Sequence, residues 1–257
     1  MRYCRSEANK QAIDVATDQA RKKRKNRVSY FVSYPYLCEE LNTNTYFMRL
    51  LERNVAEKLL KIKAIKLQPA NPFTWASGWK SPIYCDNRKT LSYPQIRNYI
   101  KIQLAQVILE KYDGVDAIAG VATGAIAQGA LVADMLGVPF VYVRSTPKDH
   151  GLENLIEGDL RPGSKVVVIE DLISTGGSSL KAVEAVRNDG CDVIGMVAIF
   201  SYGFAVAEKK FKEAKVNLTT LCNYDAILEE ALKIDYIEES EIKTLQKWRK
   251  DPANWKP

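Results

Sequence analysis

Hydrophobic residues recur at helical spacing in two stretches of the first half of the chain. From Met48 onward, apolar residues fall at positions 50, 51, 55, 59, 60 and 62, and a second such pattern runs from Tyr93 to Lys111. This spacing predicts two helices, each with an apolar face. Between them, NPFTWASGWKSPIYCDNR (71–88) mixes Pro, Gly and Ser with aromatic and β-branched residues, which predicts short strands joined by tight turns.

The central part of the chain alternates between apolar strand patterns and helical patterns. Strands are predicted at 116–122, 139–145, 165–171 and 192–202, and helices at 125–136 and 178–190. After Phe204 come a charged helix, a short strand (VNLTTLC) and two more helical patterns. This βαβ succession predicts an α/β fold in which helices flank a central, mostly parallel sheet.

Charge separates the first 47 residues from the rest. They hold nine Lys/Arg and five Asp/Glu, which is +4 of the chain's total of +6, and RKKRKNR (21–27) is six basic residues in seven. We predict a basic N-terminal extension at 1–47, disordered or not native, and one domain at 48–257. Two other interpretations stay open: a patch that binds nucleic acid or anionic membrane, and material upstream of a translation start at Met48.

Composition is that of an ordinary globular protein and disfavours several classes. Five cysteines are scattered without CxxC spacing, which fits reduced thiols in the cytoplasm better than a disulfide framework or a zinc site. No apolar run is long enough to span a membrane, and the N-terminus lacks the apolar core of a secretory signal. The nearly neutral main domain argues against nucleic acid as a partner.

Two adjacent carboxylates, Glu170 and Asp171, end the most apolar predicted strand. Like charges so close repel each other and are costly to desolvate, so the pair needs a compensating role. The next residues, STGGSS (174–179), lead into a helix N-terminus, where backbone N–H groups and hydroxyls can hold an anion. The combination predicts a site for a phosphorylated sugar, with the acids on two vicinal hydroxyls. The alternative is a strand end with capping acids and a Ser-rich helix cap.

Three segments of the chain resemble segments of known enzyme families. IEDLISTGGSS resembles the 5-phosphoribosyl-1-diphosphate (PRPP) signature of the type I phosphoribosyltransferases. FTWASGWKSPIYCDNRKTLSYP (73–94) and YVRSTPKDHGLENLIEG (142–158) resemble the orotate phosphoribosyltransferases. The resemblance covers Met48 to Phe204 well and the C-terminal region loosely. It implies the type I fold, with a small hood built from the segment around 48–90 and C-terminal elements.

The resemblance also implies a reaction. Orotate N1 attacks C1′ of PRPP and displaces pyrophosphate, giving orotidine 5′-monophosphate in pyrimidine biosynthesis. Mg²⁺ is the implied cofactor. We expect PRPP and water to fill most of its coordination sphere, so no dedicated protein metal site is predicted.

Site residues follow from the resemblance by position. The implied PRPP-binding residues are Arg144, Lys148, His150, Glu170, Asp171, Ser174, Thr175, Gly176, Gly177 and Ser178. The implied pyrophosphate loop is Ala122, Thr123, Gly124 and Ala125. Lys148, His150 and Asp171 are the catalytic candidates.

Lys148 and His150 lie in KDHG, which matches the family's mobile catalytic loop. That loop closes over a neighbouring subunit's site, so the resemblance implies a homodimer with a lid acting in trans. A departing pyrophosphate develops negative charge, which positioned cations stabilise. His150, the one histidine of the chain, suits proton or hydrogen-bond donation near neutral pH.

The base is expected against residues 73–88. The candidates for orotate binding are Lys80, Ile83, Tyr84, Arg88 and Ser174. Some family branches carry lysines where this chain has Ala76, Gly124 and Ser145, and an arginine where it has FSYGF; Arg88 is therefore our candidate for the orotate carboxylate. Phe73, Trp75 and Trp79 are expected to pack in the core or at a dimer interface.

Two alternative functions remain from the sequence. One is a purine-salvage phosphoribosyltransferase, against which WASGWKSPIYCDNR argues. The other is a PRPP-sensing regulator that binds nucleic acid through the basic tail, although 1–47 shows no convincing helix-turn-helix. Fusion to the next pathway enzyme is excluded by length.

Overall fold

The computed structural model describes residues 40–75, 78–146 and 155–257. The helices are α1 (Glu40–Lys61), α2 (Pro94–Lys111), α3 (Ile126–Leu136), α4 (Gly177–Asn188), α5 (Ala205–Glu213), α6 (Tyr224–Lys233) and α7 (Glu239–Lys250), with a 3₁₀ helix at Asn87–Ser92. The strands are β1 (Ile65–Leu67), β2 (Phe73–Thr74), β3 (Lys80–Ser81), β4 (Ile83–Cys85), β5 (Ala117–Val121), β6 (Phe140–Val143), β7 (Ile156–Glu157), β8 (Lys165–Ile173), β9 (Asp192–Ser201) and β10 (Leu218–Asn223).

Six strands form the central sheet in the order β10-β9-β8-β5-β6-β7. All neighbours are parallel except β6 and β7, where Tyr142 lies opposite Glu157 in an antiparallel pair. The predicted mostly parallel sheet is therefore confirmed. The strand order reverses direction between β8 and β5, and the loops after these two strands are the ones expected to bind ligand.

The sheet is buried on both faces, which explains why its strands read as continuous apolar runs. Along β8, Val166 and Val168 pack in one hydrophobic cluster, whereas Val167 and Ile169 pack in the other. Side chains alternate between the two faces of a strand, so each cluster takes every second residue. The same alternation sends Glu170 and Asp171 to opposite faces at the strand end.

The hood consists of two small antiparallel sheets of two strands each, next to the C-terminal helix α7. β1 pairs with β4, and β2 pairs with β3. Trp248 of α7 donates a hydrogen bond from Nε1 to the Lys80 carbonyl oxygen (3.2 Å), and its ring packs edge-on against Trp75. The predicted hood of N-terminal and C-terminal elements is confirmed.

The first helix differs from its prediction. The pattern predicted a start at Met48, but α1 begins at Glu40. Among the side chains described from Phe47 onward, the first buried one is Leu51, which is 2% exposed. The division into an extension at 1–47 and a domain at 48–257 stays a prediction, and residues 1–39 lie outside the described range. Within the described ranges, no helix is both long and apolar enough to cross a membrane.

Candidate active site

The carboxyl end of β8 is the centre of the site, because the acidic pair lies there. Glu170 is only 4% exposed. Its Oε2 accepts a hydrogen bond from the Ser179 hydroxyl (2.8 Å), and its Oε1 accepts one from the Asp171 N–H (3.0 Å). Glu170 therefore links the end of β8 to the first turn of α4.

Burial and the neighbouring charge make the two carboxyl groups harder to ionise than free acids. Burial, the charge of Asp171 and the hydrogen bond between the two groups raise the pKa of Glu170 to about 8, against an ordinary value of 4.5. Burial also raises the pKa of Asp171, but the hydrogen bond from Glu170 and the positive charge of Arg88 partly offset that rise. At neutral pH Glu170 therefore holds its proton, which removes the repulsion between two adjacent carboxylates.

The loop 122–125 lies directly against Asp171. A Cβ built on Gly124 would overlap the Asp171 carboxyl group. The Ala122 N–H donates to the Val143 carbonyl oxygen, and the Ala122–Thr123 peptide bond is cis. Ala125 is fully buried at the start of α3. The loop thus brings its backbone to the acidic pair, and glycine at 124 is what permits the approach.

The loop 174–178 turns from β8 into α4. Gly176 has a φ of 75° and caps α4, and a Cβ at this position would meet the Phe211 ring at 2.8 Å. Gly177 borders open space, and Ser178 is exposed. Free N–H groups at the start of a helix, beside hydroxyl side chains, are an arrangement that binds phosphate. Ser174 and Thr175 are half-buried in the same loop.

The hood supplies cations and an aromatic ring. Arg88 is 59% exposed in its side chain and pairs with Asp86 through a 2.7 Å contact from Nε to Oδ1. Its positive charge lowers the pKa of Asp171, so the guanidinium lies near enough to that carboxyl group to influence its ionisation. Tyr84 is 39% exposed and packs its ring 5.6 Å from that of Phe73.

Two other hood candidates have their polar groups engaged. Lys80 donates from Nζ to the Thr74 hydroxyl at 2.8 Å. Ile83 is fully buried, its N–H donates to the Ser81 Oγ, and its carbonyl oxygen accepts from Ser81 and Trp75. A direct contact of the Ile83 backbone with a ligand would have to compete with these bonds.

Trp75 packs as expected for a core residue. It contacts Tyr202 at 5.3 Å and Trp248 at 5.6 Å between ring centroids. Tyr202 in turn stacks on Phe204 at 5.3 Å. The aromatic side chains of FSYGF (200–204) therefore pack between the sheet and the hood.

The predicted lid loop is described only at its ends. Arg144 extends from β6, contacts Glu157 of β7 at 3.4 Å and donates its N–H to the Leu155 carbonyl oxygen. Lys148 and His150 lie outside the described residues, so their assignments stay predictions. In the part of the chain that the structure describes, no three His, Cys, Asp or Glu side chains cluster as a metal site.

Asn87 is a site-adjacent residue that sequence reasoning missed. Its Nδ2 donates to the Asp171 carbonyl oxygen at 2.6 Å across 84 positions of sequence, and the residue is 2% exposed. A polar residue between the charged Asp86 and Arg88 gives no periodicity signal. Only the interruption of the apolar pattern by three polar residues could have drawn attention to it.

Comparison with known proteins gives the family. A model of the phosphoribosyl transferase domain matches residues 92–229. An orotate phosphoribosyltransferase of Bacteroides thetaiotaomicron is 76% identical over 208 residues, which are 81% of this chain and 98% of that protein. One from Phocaeicola vulgatus is 74% identical with the same coverage.

Solved structures agree with the sequence relatives. The crystal structure of orotate phosphoribosyltransferase from Aeropyrum pernix superimposes with a TM-score of 0.62 at 29% identity, covering 72% of this chain and 99% of that one. The family model spans more than half of the chain, and the sequence relatives are matched over almost their full length. The chain therefore belongs to the orotate phosphoribosyltransferases, enzymes with the phosphoribosyl transferase domain.

Proposed function

We propose that this enzyme transfers the phosphoribosyl group of PRPP to orotate, giving orotidine 5′-monophosphate and pyrophosphate. One observation carries the proposal. The carboxylate of Asp171, the glycine-opened backbone of 122–125 and the phosphate-binding loop 174–178 converge at the carboxyl ends of β5 and β8. A sugar that carries a phosphate and a diphosphate needs those three partners.

The donor substrate is held by the acidic pair and the phosphate loop. The Asp171 carboxylate accepts from the ribose hydroxyls. Each Glu170 oxygen already accepts one hydrogen bond, yet one oxygen keeps a second lone pair and the protonated oxygen carries an O–H, so Glu170 retains capacity for a sugar hydroxyl. The residues from Ser174 to Ser178 surround the 5′-phosphate.

Departure of pyrophosphate builds negative charge that cations must stabilise. Arg144 reaches the diphosphate by giving up its contact with Glu157. Lys148 and His150 add positive charge beside the diphosphate when the lid closes. Mg²⁺ is compatible with this site, since the diphosphate and water would offer most of the oxygen ligands that it prefers and few would have to come from the protein. When bound, Mg²⁺ supplies charge neutralisation on the diphosphate oxygens.

The acceptor is held by the hood. Tyr84 presents an exposed ring for a flat base, and Arg88 presents a guanidinium for its carboxylate. Lys80 and Ser174 are further polar candidates, and the Ile83 backbone is a candidate that would exchange its present hydrogen bonds for the base. The charge of Arg88 lowers the pKa of Asp171, so the two groups are near enough to interact. A base held by Arg88 therefore lies close to the sugar-binding carboxylates.

Assembly and location complete the proposal. We place the active enzyme as a homodimer whose lid loop acts on the partner's site, and in the cytoplasm. Three cysteines lie in the described residues and all are free thiols, which suits a reducing compartment.

An acceptor comparison tests the function. The purified full chain is incubated with PRPP, Mg²⁺ and one of orotate, hypoxanthine, guanine or adenine, and pyrophosphate release is measured. Release with orotate and none above background with the purines is the expected result. Release with a purine alone would instead establish the salvage activity, and release with none of the four would remove the proposed function.

A further inference from the structure

Asn87 occupies an unusual position for a polar side chain, because it lies buried between the hood and the central sheet. It opens the 3₁₀ helix Asn87–Ser92 and lies two positions after the last residue of β4 in the hood. Its amide nitrogen donates to the main-chain oxygen of Asp171 at 2.6 Å. Its Oδ1 accepts from the Cys85 thiol at 3.4 Å. The amide nitrogen of Asn87 therefore binds the central sheet, and its amide oxygen binds the hood.

A chain of hydrogen bonds extends this link to α3, the helix that follows the loop 122–125. The Thr90 hydroxyl, fully buried, donates to the Asn87 carbonyl oxygen at 2.6 Å. The same hydroxyl accepts from Nε2 of Gln128 at 3.5 Å. Gln128 lies in the first turn of α3, three residues after the loop ends, and is 2% exposed. Hood, β8 and α3 thus meet through buried polar side chains.

Asn87 differs from its two neighbours in burial. Asp86 and Arg88 pair with each other and are more exposed, whereas Asn87 turns inward. A buried amide that bonds a strand 84 positions away fixes the distance between two elements, since an unpaired buried polar group is costly. The element that it fixes carries the Asp171 carboxylate.

We propose that Asn87 is a positioning residue for the phosphoribosyl transfer: it holds the carboxyl end of β8 against the hood and thereby orients Asp171 toward the ribose of PRPP. The inference rests on the proposed function. Because Asn87 lies three residues from Tyr84 and next to Arg88, the same bond sets the separation between the base side and the sugar side of the site.

Two substitutions test the role. Asn87→Ala removes both hydrogen bonds, and Asn87→Asp keeps the shape while replacing the donor with a carboxylate oxygen that repels the Asp171 carbonyl. The buried carboxyl group that Asn87→Asp introduces can donate again once it is protonated. We therefore expect kcat/KM for PRPP to fall about tenfold or more in both variants at pH 8.5, and the deficit of Asn87→Asp to shrink several-fold at pH 6.

Asn254→Ala is the matched control, since Asn254 donates its amide to Asp251 in the exposed C-terminal segment. It should leave kcat/KM unchanged at both pH values. Rates are corrected for the folded fraction, measured by circular dichroism in the same buffers, so that Asn87→Asp remains informative if Asn87→Ala folds poorly.

The results separate the two claims. A wild-type enzyme without orotate-dependent pyrophosphate release removes the proposed function itself. An active wild type with an Asn87→Asp variant within twofold of it at pH 8.5 overturns the role of Asn87 alone. So does a deficit that is the same at pH 6 and pH 8.5, because a general packing defect has no reason to follow protonation of this carboxyl.

Discussion

The carboxyl group of Asp171 lies against the Cα of Gly124, at the place where any other residue would carry its Cβ. The two residues come from the ends of β8 and β5, which are neighbours in the sheet. Their contact joins the acidic pair to the loop expected to bind pyrophosphate. Glycine at 124 is thus a condition for the position of Asp171.

Replacement of Gly124 by alanine should therefore impair donor binding. The added methyl group displaces the Asp171 carboxyl, and we expect kcat/KM for PRPP to fall about tenfold or more, which corresponds to about 1.4 kcal/mol of lost transition-state stabilisation. KM for orotate should change less. Steady-state kinetics with each substrate varied in turn measure both effects.

Gly163→Ala is a suitable comparison, because Gly163 lies in a turn before β8 with open space around its Cα but a φ of 80°. This variant should lose some thermal stability through backbone strain and keep its KM for PRPP. If Gly124→Ala behaved in the same way, the contact with Asp171 would have no bearing on the donor site.

Ionisation of Glu170 should make the protein less stable as pH rises. Its folded pKa of about 8 exceeds the ordinary 4.5, so the folded state binds the extra proton between these values. The stabilisation from the protonated form is fully present below the ordinary pKa and is lost as pH rises toward and through the folded pKa, at up to roughly 1.4 kcal/mol per pH unit. Glu170→Gln cannot ionise and should lose less.

Urea unfolding at pH 5.5, 7 and 8.5 measures this difference. Relative to wild type, Glu170→Gln should gain stability as pH rises, whereas Glu213→Gln, at an exposed position on α5, should show a constant difference. Parallel pH curves for wild type and Glu170→Gln would mean that Glu170 is already ionised at neutral pH.

Arg88 should act on the acceptor and not on the donor. In Arg88→Ala we expect KM for orotate to rise about tenfold or more, since a charge-assisted contact to a carboxylate is lost, while KM for PRPP changes less than about threefold. Arg161→Ala, on an exposed loop away from the hood, is the matched loss of charge. An unchanged KM for orotate would remove Arg88 as the carboxylate ligand.

A mixed dimer tests whether the lid acts in trans. One subunit carries Lys148→Ala and the other Asp171→Asn, and each homodimer alone should be at least about 100-fold less active than wild type. If Lys148 serves the partner's site, one of the two sites combines intact residues, and the mixed dimer keeps about half of the wild-type rate. A mixed dimer as inactive as its parents would show that Lys148 serves its own subunit.

The sequence by itself determined the main strands of the central sheet and the helices between them, and it pointed to the acidic pair and the loop after it as the donor site. Apolar runs such as KVVVIED and the βαβ alternation depend on local periodicity, and they placed β5, β6, β8, β9 and the intervening helices to within a few residues. The order acid–acid–loop in 170–179 is also local, because strand end, loop and helix N-terminus follow one another along the chain.

Only the tertiary structure decided how those pieces meet. Strand alternation sends Glu170 to Ser179 and Asp171 to Gly124, and no pattern of single residues encodes those contacts. The bond from Asn87 to Asp171 spans 84 positions and exists because β4 and β8 end near each other. Periodicity reports which face of an element is buried. Pairing between distant elements depends on how the buried faces pack, and that packing fixed the surroundings of the acidic pair, the raised pKa of Glu170 and the link to the hood.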